Sequence, residues 1–321
     1  RRSTMPLPTA PAPAALRRPL AALLAAVLGA RAAPSRDAFR ICVYNVREGL
    51  GHLDRRSVGR FAAWARSANF DVLGITEANG FTGELFAGLA RRCGFRFCHF
   101  LPAKTGFHLG LFSRFPLRVY EDDVPSNLSS LHLFHAMLHA RVDLGTPVGM
   151  PVFLTHLNPF SAAARREEAR AIVRSTRRFR DLPFVLMGDF NSLSPLDAQA
   201  HSHEDLTARL LSKRRALRNK FLRSDGSIDY KPLETFYRAG IQEAHVRDGF
   251  ATVPTDNADD GHHVGSMRLD YVLLGPGLAQ SEWGRGASVR TLRDEVTRNL
   301  SDHFPVVLTL PRGERDAPRG R

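Results

Sequence analysis

The chain has 321 residues, 43% of them hydrophobic and 24% charged, which is an ordinary composition for a globular protein with a sizeable core. Its formal charge of +13 favours a polyanionic partner, but +6 lies in residues 1–36 and +2 in residues 312–321, which leaves only +5 for the rest. The three cysteines exclude a disulfide scaffold, and no second pair of cysteines or histidines provides the spacing of a zinc site.

The first 36 residues have the pattern of a signal or transit peptide. Arg17-Arg18 precedes an apolar run, Leu20 to Leu28, which ends in the small-residue pattern Ala30-Arg31-Ala32 that is typical of signal cleavage. This run is shorter than the roughly 20 residues that span a bilayer. We therefore expect export through the secretory pathway, with an organelle transit peptide as the alternative because the segment is rich in arginine and free of acid. Residues 37–311 are expected to form one domain and residues 312–321 a disordered tail.

Six apolar segments are predicted to be buried strands, and each carries a polar group at one end. The strands are expected at 39–44, 70–76, 152–155, 184–188, 269–274 and 304–310, and their polar groups are Asn45, Glu77, His156, Asp189 with Asn191, Asp270, and Asp302 with His303. Strand ends that open into loops are where rigid scaffolds present reactive groups. Taken alone, residues 189–192 also fit a turn that caps a core strand. The recurrence of the same layout favours a functional site.

Five segments have the periodicity of helices that cover the sheets, at 57–68, 85–92, 162–179, 204–222 and 232–239. Segment 162–179 is strongly basic and is most simply a solvated face, although phosphate contact by part of it stays open. Segment 204–222 predicts one amphipathic basic helix that suits a nucleic-acid backbone or an anionic membrane surface, and composition does not separate the two.

The remaining histidines and cysteines favour structural roles. His132, His135 and His139 have no acidic or cysteine partner that would support a metal site, and His108 is expected to be structural or peripheral. The acidic loop 252–263 ends in His262-His263, where extra metal binding is a minor alternative. In an exported chain, Cys93 and Cys98 are close enough in sequence to form a disulfide.

The order and context of the polar strand ends resemble the endonuclease/exonuclease/phosphatase superfamily, which has the deoxyribonuclease I-like fold. The resemblance covers about residues 39–310 and is most specific at Gly188-Asp189-Phe190-Asn191, Arg268-Leu269-Asp270-Tyr271 and Ser301-Asp302-His303. It implies an α/β four-layer sandwich of two packed mixed β-sheets flanked by helices, with the site at the edge where strand ends converge. A mild departure is Ala78 after Glu77, where the superfamily normally has a polar residue.

The resemblance also implies a metal cofactor. Asn45, Glu77 and Asp302 are the residues that would hold Mg²⁺, with Mn²⁺ as the alternative ion, since hard cations favour oxygen ligands.

Five further residues are implied to be catalytic. By resemblance, Asp189 takes the proton from an attacking water, and Asn191 orients that water or the phosphate. His303 stabilises charge on the phosphate oxygens, Asp270 orients the His303 ring, and His156 is a second phosphate contact. No covalent nucleophile is required.

The implied function is Mg²⁺-dependent hydrolysis of a phosphodiester, by a nuclease or a general phosphodiesterase. The alternatives are a neutral sphingomyelinase-like lipid phosphodiesterase and a catalytically silent binding module of the same fold. The expected partner is a phosphodiester substrate, with nucleic acid favoured and an anionic membrane surface as the other option. No obligate protein partner is evident from the sequence.

Overall fold

The computed structural model describes residues 38–119, 133–144, 149–248, 251–258 and 263–311. The predicted leader at 1–36 and the predicted tail at 312–321 lie outside these residues, and so do His132 and His262.

Thirteen strands in the described ranges form two sheets. In chain order they are β1 Ala38–Asn45, β2 Val72–Thr76, β3 Phe97–Leu101, β4 Leu109–Ser113, β5 Leu117–Val119, β6 Ala136–Val142, β7 Met150–His156, β8 Val185–Asp189, β9 Gln242–Glu243, β10 His245–Asp248, β11 Asp270–Leu274, β12 Ser288–Thr291 and β13 Val306–Pro311. Sheet A has the order β10-β12-β13-β1-β2-β4-β3, and sheet B has the order β5-β6-β7-β8-β11-β9. Both sheets are mixed, because β1 with β2 and β7 with β8 are parallel pairs whereas β13 and β11 run antiparallel to their neighbours.

Ten helices lie in the same described ranges. They are α1 Arg47–Leu53, α2 Arg55–Ala68, α3 Gly83–Arg92, α4 Ala162–Thr176, α5 Ala198–His203, α6 Leu206–Leu211, α7 Arg215–Phe221, α8 Lys231–Arg238, α9 Pro276–Gln280 and α10 Glu282–Arg285. Side chains cap several of them: Asp54, Thr82 and Ser161 accept hydrogen bonds from the first turns of α2, α3 and α4. None of the helices that the structure describes is both long enough and apolar enough to cross a membrane.

The two faces of β1 show how the layers are stacked. Ile41 and Val43 point into a core between the two sheets, while Cys42 and Tyr44 point into a second core that contains Phe61 of α2. This alternation follows from the period of two in a strand. A third core packs α4 and α8 against the outer face of sheet B. The result is the predicted order of helices, sheet, sheet, helices.

The segment at 204–222 differs from its prediction, because it is not one helix. It contains α6 and α7 as separate short helices, with Asp205 in a left-handed conformation before α6 and Arg214 in an extended one before α7. The breaks let Leu206, Leu217 and Phe221 pack into one small core. Periodicity alone could not reveal this, since tertiary packing overrides the helical preference of the segment.

Three further findings concern individual residues. All three cysteines are free, with Cys93 buried and Cys98 partly buried, so the structure contains no bridge between them. His108 accepts a hydrogen bond at Nδ1 from the backbone N–H of Ala103 at 3.0 Å, as suits a structural residue. Arg268 of the predicted motif is buried and forms ion pairs with Asp197 at 2.9 Å and with Glu243, which fixes the start of β11 to the loop after β8.

Candidate active site

The sheet topology brings the predicted residues together at one edge. In sheet A, Asn45 pairs with Thr76 at the ends of two parallel strands, so Glu77 follows directly beside Asn45. In sheet B, Asp189 lies between two partners, His156 on β7 and Asp270 on β11. Neighbouring strands lie about 5 Å apart, so these pairs place their side chains within reach of one another.

Asn45 joins the two sheets at this edge. Its Nδ2 donates to Oε1 of Glu77 at 3.0 Å and to Oδ2 of Asp189 at 3.0 Å. Its Oδ1 accepts a hydrogen bond from the backbone N–H of Arg47 at 3.0 Å, which fixes the direction of the amide. Asn45 is fully buried, so it holds the two carboxylates in a defined position.

Asp189 is the centre of the cluster. It is 1% exposed, its Oδ1 accepts the N–H of Asn191 at 2.8 Å, and its Oδ2 lies 3.5 Å from Nε2 of His156. Burial by itself raises the pKa of Asp189, but the positive charge of His303 outweighs that effect and lowers it. The carboxylate is therefore ionised at neutral pH and able to accept a proton.

The glycine before Asp189 allows the close approach of β7 and β8. Gly188 has φ of 150°, and a Cβ atom there would lie 1.8 Å from the carbonyl oxygen of Thr155. No side chain fits that space without moving a strand, which is the physical reason for glycine in the Gly-Asp-Phe-Asn motif.

Backbone strain is concentrated beside these groups. Glu77 and Asn191 have positive φ values of 58° and 47°, although neither is glycine. Helix α1 is left-handed at residues 48–52, and its Glu48 N–H donates to Oε2 of Glu77 at 2.9 Å. A left-handed residue costs roughly 1–2 kcal/mol, and such strain is characteristic of functional sites.

His303 and Asp270 form a buried pair behind Asp189. Nδ1 of His303 lies 2.7 Å from Oδ2 of Asp270, and Nε2 of His303 lies 3.9 Å from Oδ2 of Asp189. Burial alone lowers the pKa of His303, but the Asp270 and Asp302 carboxylates reverse this and raise it to about 10. The ring is therefore a cation at neutral pH, held in one orientation with Nε2 toward the cluster.

His156 differs from His303 in charge. Burial lowers the pKa of His156, with only partial compensation from Asp189, so its ring is neutral at pH 7. Its position was predicted, and its surroundings were not: His135 stacks on it with ring centroids 4.3 Å apart and an angle of 20°.

The last two predicted residues lie at the border of the cluster. Nδ2 of Asn191 donates to the carbonyl of Leu157 at 3.0 Å, so its side chain ties the loop after β8 to the loop after β7. Asp302 is partly exposed, and Ser301 connects it to Asn45, since the Ser301 hydroxyl lies 2.6 Å from the Asn45 carbonyl and 3.3 Å from Oδ1 of Asp302.

Three groups of described side chains have ligand atoms close enough to share a metal ion, all within 4.8 Å of one another in each group. They are Glu77 with His156 and Asp189, Asp189 with Asp270 and His303, and His263 with Asp302 and His303. The first group lies around Asn45 and offers two carboxylates. The third includes His263, the described half of the histidine pair for which extra metal binding was a minor expectation.

Comparison with known proteins gives a family. The model of the Endonuclease/Exonuclease/phosphatase family matches residues 42–303, most of the chain. The chain belongs to the endonuclease/exonuclease/phosphatase family. Comparison with curated proteins gives no significant match in sequence.

Solved structures agree with this family on the fold. An endonuclease/exonuclease/phosphatase family protein from Bacteroides thetaiotaomicron has a TM-score of 0.53 and 16% identity, over 85% of this chain and 97% of its own. An AP endonuclease from Archaeoglobus fulgidus has a TM-score of 0.56 and 16% identity, over 85% and 99%. Beta toxin 275-280 from Staphylococcus aureus has a TM-score of 0.56 and 11% identity, over 84% and 99%.

This family member also carries a buried arginine that the sequence interpretation had placed on a solvated face. Arg165 of α4 is 1% exposed, and its Nε donates to the Ser192 hydroxyl at 2.9 Å and its Nη1 to the Asn158 carbonyl at 2.9 Å. Its Nη2 donates to the carbonyl of Lys220. The prediction was wrong for this residue, although its spacing of four and seven from Ala169 and Ile172 already placed it on the apolar face.

Lys220 is the second residue that sequence reasoning missed. The residue as a whole is partly exposed to solvent, and its amino group interacts electrostatically with Asp189, Glu77 and Asp302. Desolvation lowers its pKa to about 8, against the opposing effect of these carboxylates. The family motifs contain no signal for it, because it lies on α7, in a segment after β8 that carries none of those motifs.

Proposed function

We propose that this protein hydrolyses phosphodiester bonds with the help of Mg²⁺, and that nucleic acid is its favoured substrate. The observation that carries the proposal is the buried Asp189 carboxylate, which faces the imidazoles of His156 and His303 at 3.5 and 3.9 Å. A carboxylate base beside a cationic ring and a neutral ring suits in-line attack of water on an anionic phosphorus centre.

The donor set fits a hard divalent cation. Asn45, Glu77 and Asp302 are the residues that would hold it: Glu77 and Asp302 would supply carboxylate oxygens, and Asn45, whose Nδ2 faces Glu77 at 3.0 Å and whose Oδ1 accepts the Arg47 N–H, would have to turn its oxygen to the ion. Carboxylate and amide oxygens are the ligands that Mg²⁺ prefers, with Mn²⁺ as the alternative. When bound, the ion neutralises phosphate oxygens and stabilises the leaving oxygen.

Asp189 accepts the proton of the attacking water in this proposal. Asn191 supports it through the N–H that donates to Oδ1 of Asp189, which leaves Oδ2 directed toward the cluster. The loops that carry Asn191 and His156 are joined by the hydrogen bond to Leu157, so the base and the phosphate contact keep a fixed separation.

The cationic ring of His303 stabilises the negative charge that develops on the phosphate oxygens. Asp270 holds that ring in place at 2.7 Å, the arrangement of a carboxylate-oriented histidine. His156 contacts the phosphate as a neutral donor, and Lys220 adds a second positive charge that interacts with the carboxylates of the cluster.

The test is turnover by the purified chain with single- and double-stranded DNA, RNA and sphingomyelin vesicles, each with Mg²⁺ or with a chelator. We expect nucleic acid to be cut with Mg²⁺ and to remain intact with chelator. Cleavage of sphingomyelin alone would keep the chemistry and replace the substrate by a lipid phosphodiester. If no phosphodiester is cleaved in a metal-dependent way, the proposal is refuted. The remaining explanation is then a binding module of the same fold.

A further inference from the structure

Two exposed aromatic rings lie side by side near the candidate active site. Phe160 is 65% exposed and Phe134 is 38% exposed, and their ring centroids are 5.5 Å apart in an edge-to-face arrangement. A single exposed phenylalanine is common on protein surfaces, but a paired one at the border of a site is a reason to look for a ligand. We refer to Phe134 and Phe160 together as the aromatic pair.

A continuous series of rings connects the aromatic pair to the reaction centre. Phe134 contacts the ring of His135 at 4.7 Å, and His135 stacks on His156 at 4.3 Å. His156 in turn lies 3.5 Å from Oδ2 of Asp189. The aromatic pair is thus only two ring contacts away from the imidazole that faces the catalytic carboxylate.

Hydrogen bonds to the backbone hold both residues of the aromatic pair in position. The carboxylate of Glu168, which is buried on α4, accepts the N–H of Phe134 at 2.7 Å and the N–H of Asn158 at 2.8 Å. Oδ1 of Asn158 then accepts the N–H of Phe160 at 2.8 Å. One buried carboxylate therefore fixes the backbone on both sides of the aromatic pair, so a flat ligand would meet a surface that is already formed.

We propose that the aromatic pair is a stacking platform for an unpaired nucleobase next to the phosphodiester that is cleaved, which makes single-stranded nucleic acid the preferred substrate. This inference rests on the proposed phosphodiesterase function. Bases of every type have an aromatic face and stack on phenylalanine without regard to sequence. In a duplex these faces are covered by the neighbouring base pairs, so the platform selects single strands or unpaired ends.

The surroundings favour a nucleobase over a lipid chain. Phe134 is more than half covered, and its backbone is held by a buried carboxylate, so it is not free to move deeper into a bilayer. The ring series also leads inward to His156, which matches a substrate whose aromatic group and phosphate are close neighbours in one nucleotide.

The test compares the full chain with Phe160→Ala and Phe160→Trp, and uses Leu85→Ala as the control. Leu85 is also an exposed apolar side chain, at 53%, but it lies on α3 and is in none of the site contacts described above. Binding of a fluorescent single-stranded oligonucleotide is measured by anisotropy in chelator, so that affinity is read without turnover. A matched oligonucleotide with abasic sites in place of the bases separates stacking from phosphate contacts.

We expect Phe160→Ala to weaken binding of the normal single strand by about 5- to 150-fold, which is the range for the loss of one base stack. The abasic strand should bind the parent and Phe160→Ala equally, and Phe160→Trp and Leu85→Ala should bind like the parent. With Mg²⁺, the same loss should appear in KM more than in kcat, because the ring lies outside the reacting groups.

Several results would overturn the platform. These are an unchanged affinity of Phe160→Ala for the single strand, an equal loss with the abasic strand, or no binding of single strands by the parent. Failure of the proposed function gives a different result, since the parent would then show no metal-dependent hydrolysis of any phosphodiester whatever the anisotropy shows.

Discussion

Replacement of Asp189 by asparagine tests the centre of the proposed site with a change of almost no volume. Oδ1 of Asp189 accepts the N–H of Asn191 at 2.8 Å, and Oδ2 accepts Nδ2 of Asn45 at 3.0 Å. An asparagine has only one oxygen, so one of these two buried donors loses its acceptor, at a cost of about 1–3 kcal/mol. The melting temperature should fall by about 2–4 °C for each kcal/mol in a domain of this size.

The effect of Asp189→Asn on catalysis should be much larger than its effect on stability. Asparagine cannot accept the proton of the attacking water, and removal of a general base typically slows a reaction about 10²- to 10⁴-fold. This corresponds to about 3–5 kcal/mol in the activation free energy. The side chain of Asp181 is 96% exposed, which makes Asp181→Asn a matched control that should keep full activity.

The assay is kcat for phosphodiester cleavage at saturating Mg²⁺, with thermal unfolding of the same samples. Saturating metal removes any contribution from a weaker affinity for the ion. If Asp189→Asn keeps more than about a tenth of the parent kcat, Asp189 is not the general base. A loss of activity that follows only the unfolded fraction would show that the residue acts through stability.

Substitutions at two more positions test the surroundings of Asp189. The lowered pKa of Lys220, about 8, means that its positive charge is present below that pH and lost above it, so kcat should fall as the pH rises through about 8. Lys220→Arg stays charged and should move this decline to higher pH. Lys220→Met should be slower than the parent by about 10²- to 10³-fold at pH 7. Identical pH profiles for the parent and Lys220→Arg would exclude a role of the Lys220 charge in catalysis. Gly188→Ala should unfold at a much lower temperature than the parent, because its Cβ would meet the Thr155 carbonyl at 1.8 Å, while Gly83→Ala, with open space around it, should melt like the parent. Equal melting temperatures for the two alanine variants would contradict the packing argument.

The strands and their polar ends could be predicted because both signals are local. An apolar run such as 184–187 must be covered on both faces, and a carboxylate directly after it lies at the mouth of a loop. The fold class followed from the order of such segments and from the resemblance to a known family. The family match over residues 42–303 and the two mixed sheets confirm both.

The roles of Arg165 and Lys220 could not be predicted in the same way. Arg165 donates to the carbonyl of Lys220, which is 55 residues later in the chain. Both lie in basic helical segments, where an arginine or lysine is usually solvated. Only the fold shows which of many similar charges is buried against the loops of the site. The spacing of Arg165 from Ala169 places Arg165 on the apolar face of its helix, so its burial could have been predicted. No such spacing was available for Lys220.

The residue types at the strand ends follow from the local sequence, because alternation and apolar runs are properties of neighbouring residues. Which of these residues touch depends on the folded arrangement of the sheets. The register of β7 with β8 sets His156 beside Asp189, and the packing of the two sheets brings Asn45 to the same carboxylate from 144 residues away. Contacts at such separations depend on how whole sheets are stacked, and no local pattern contains that information.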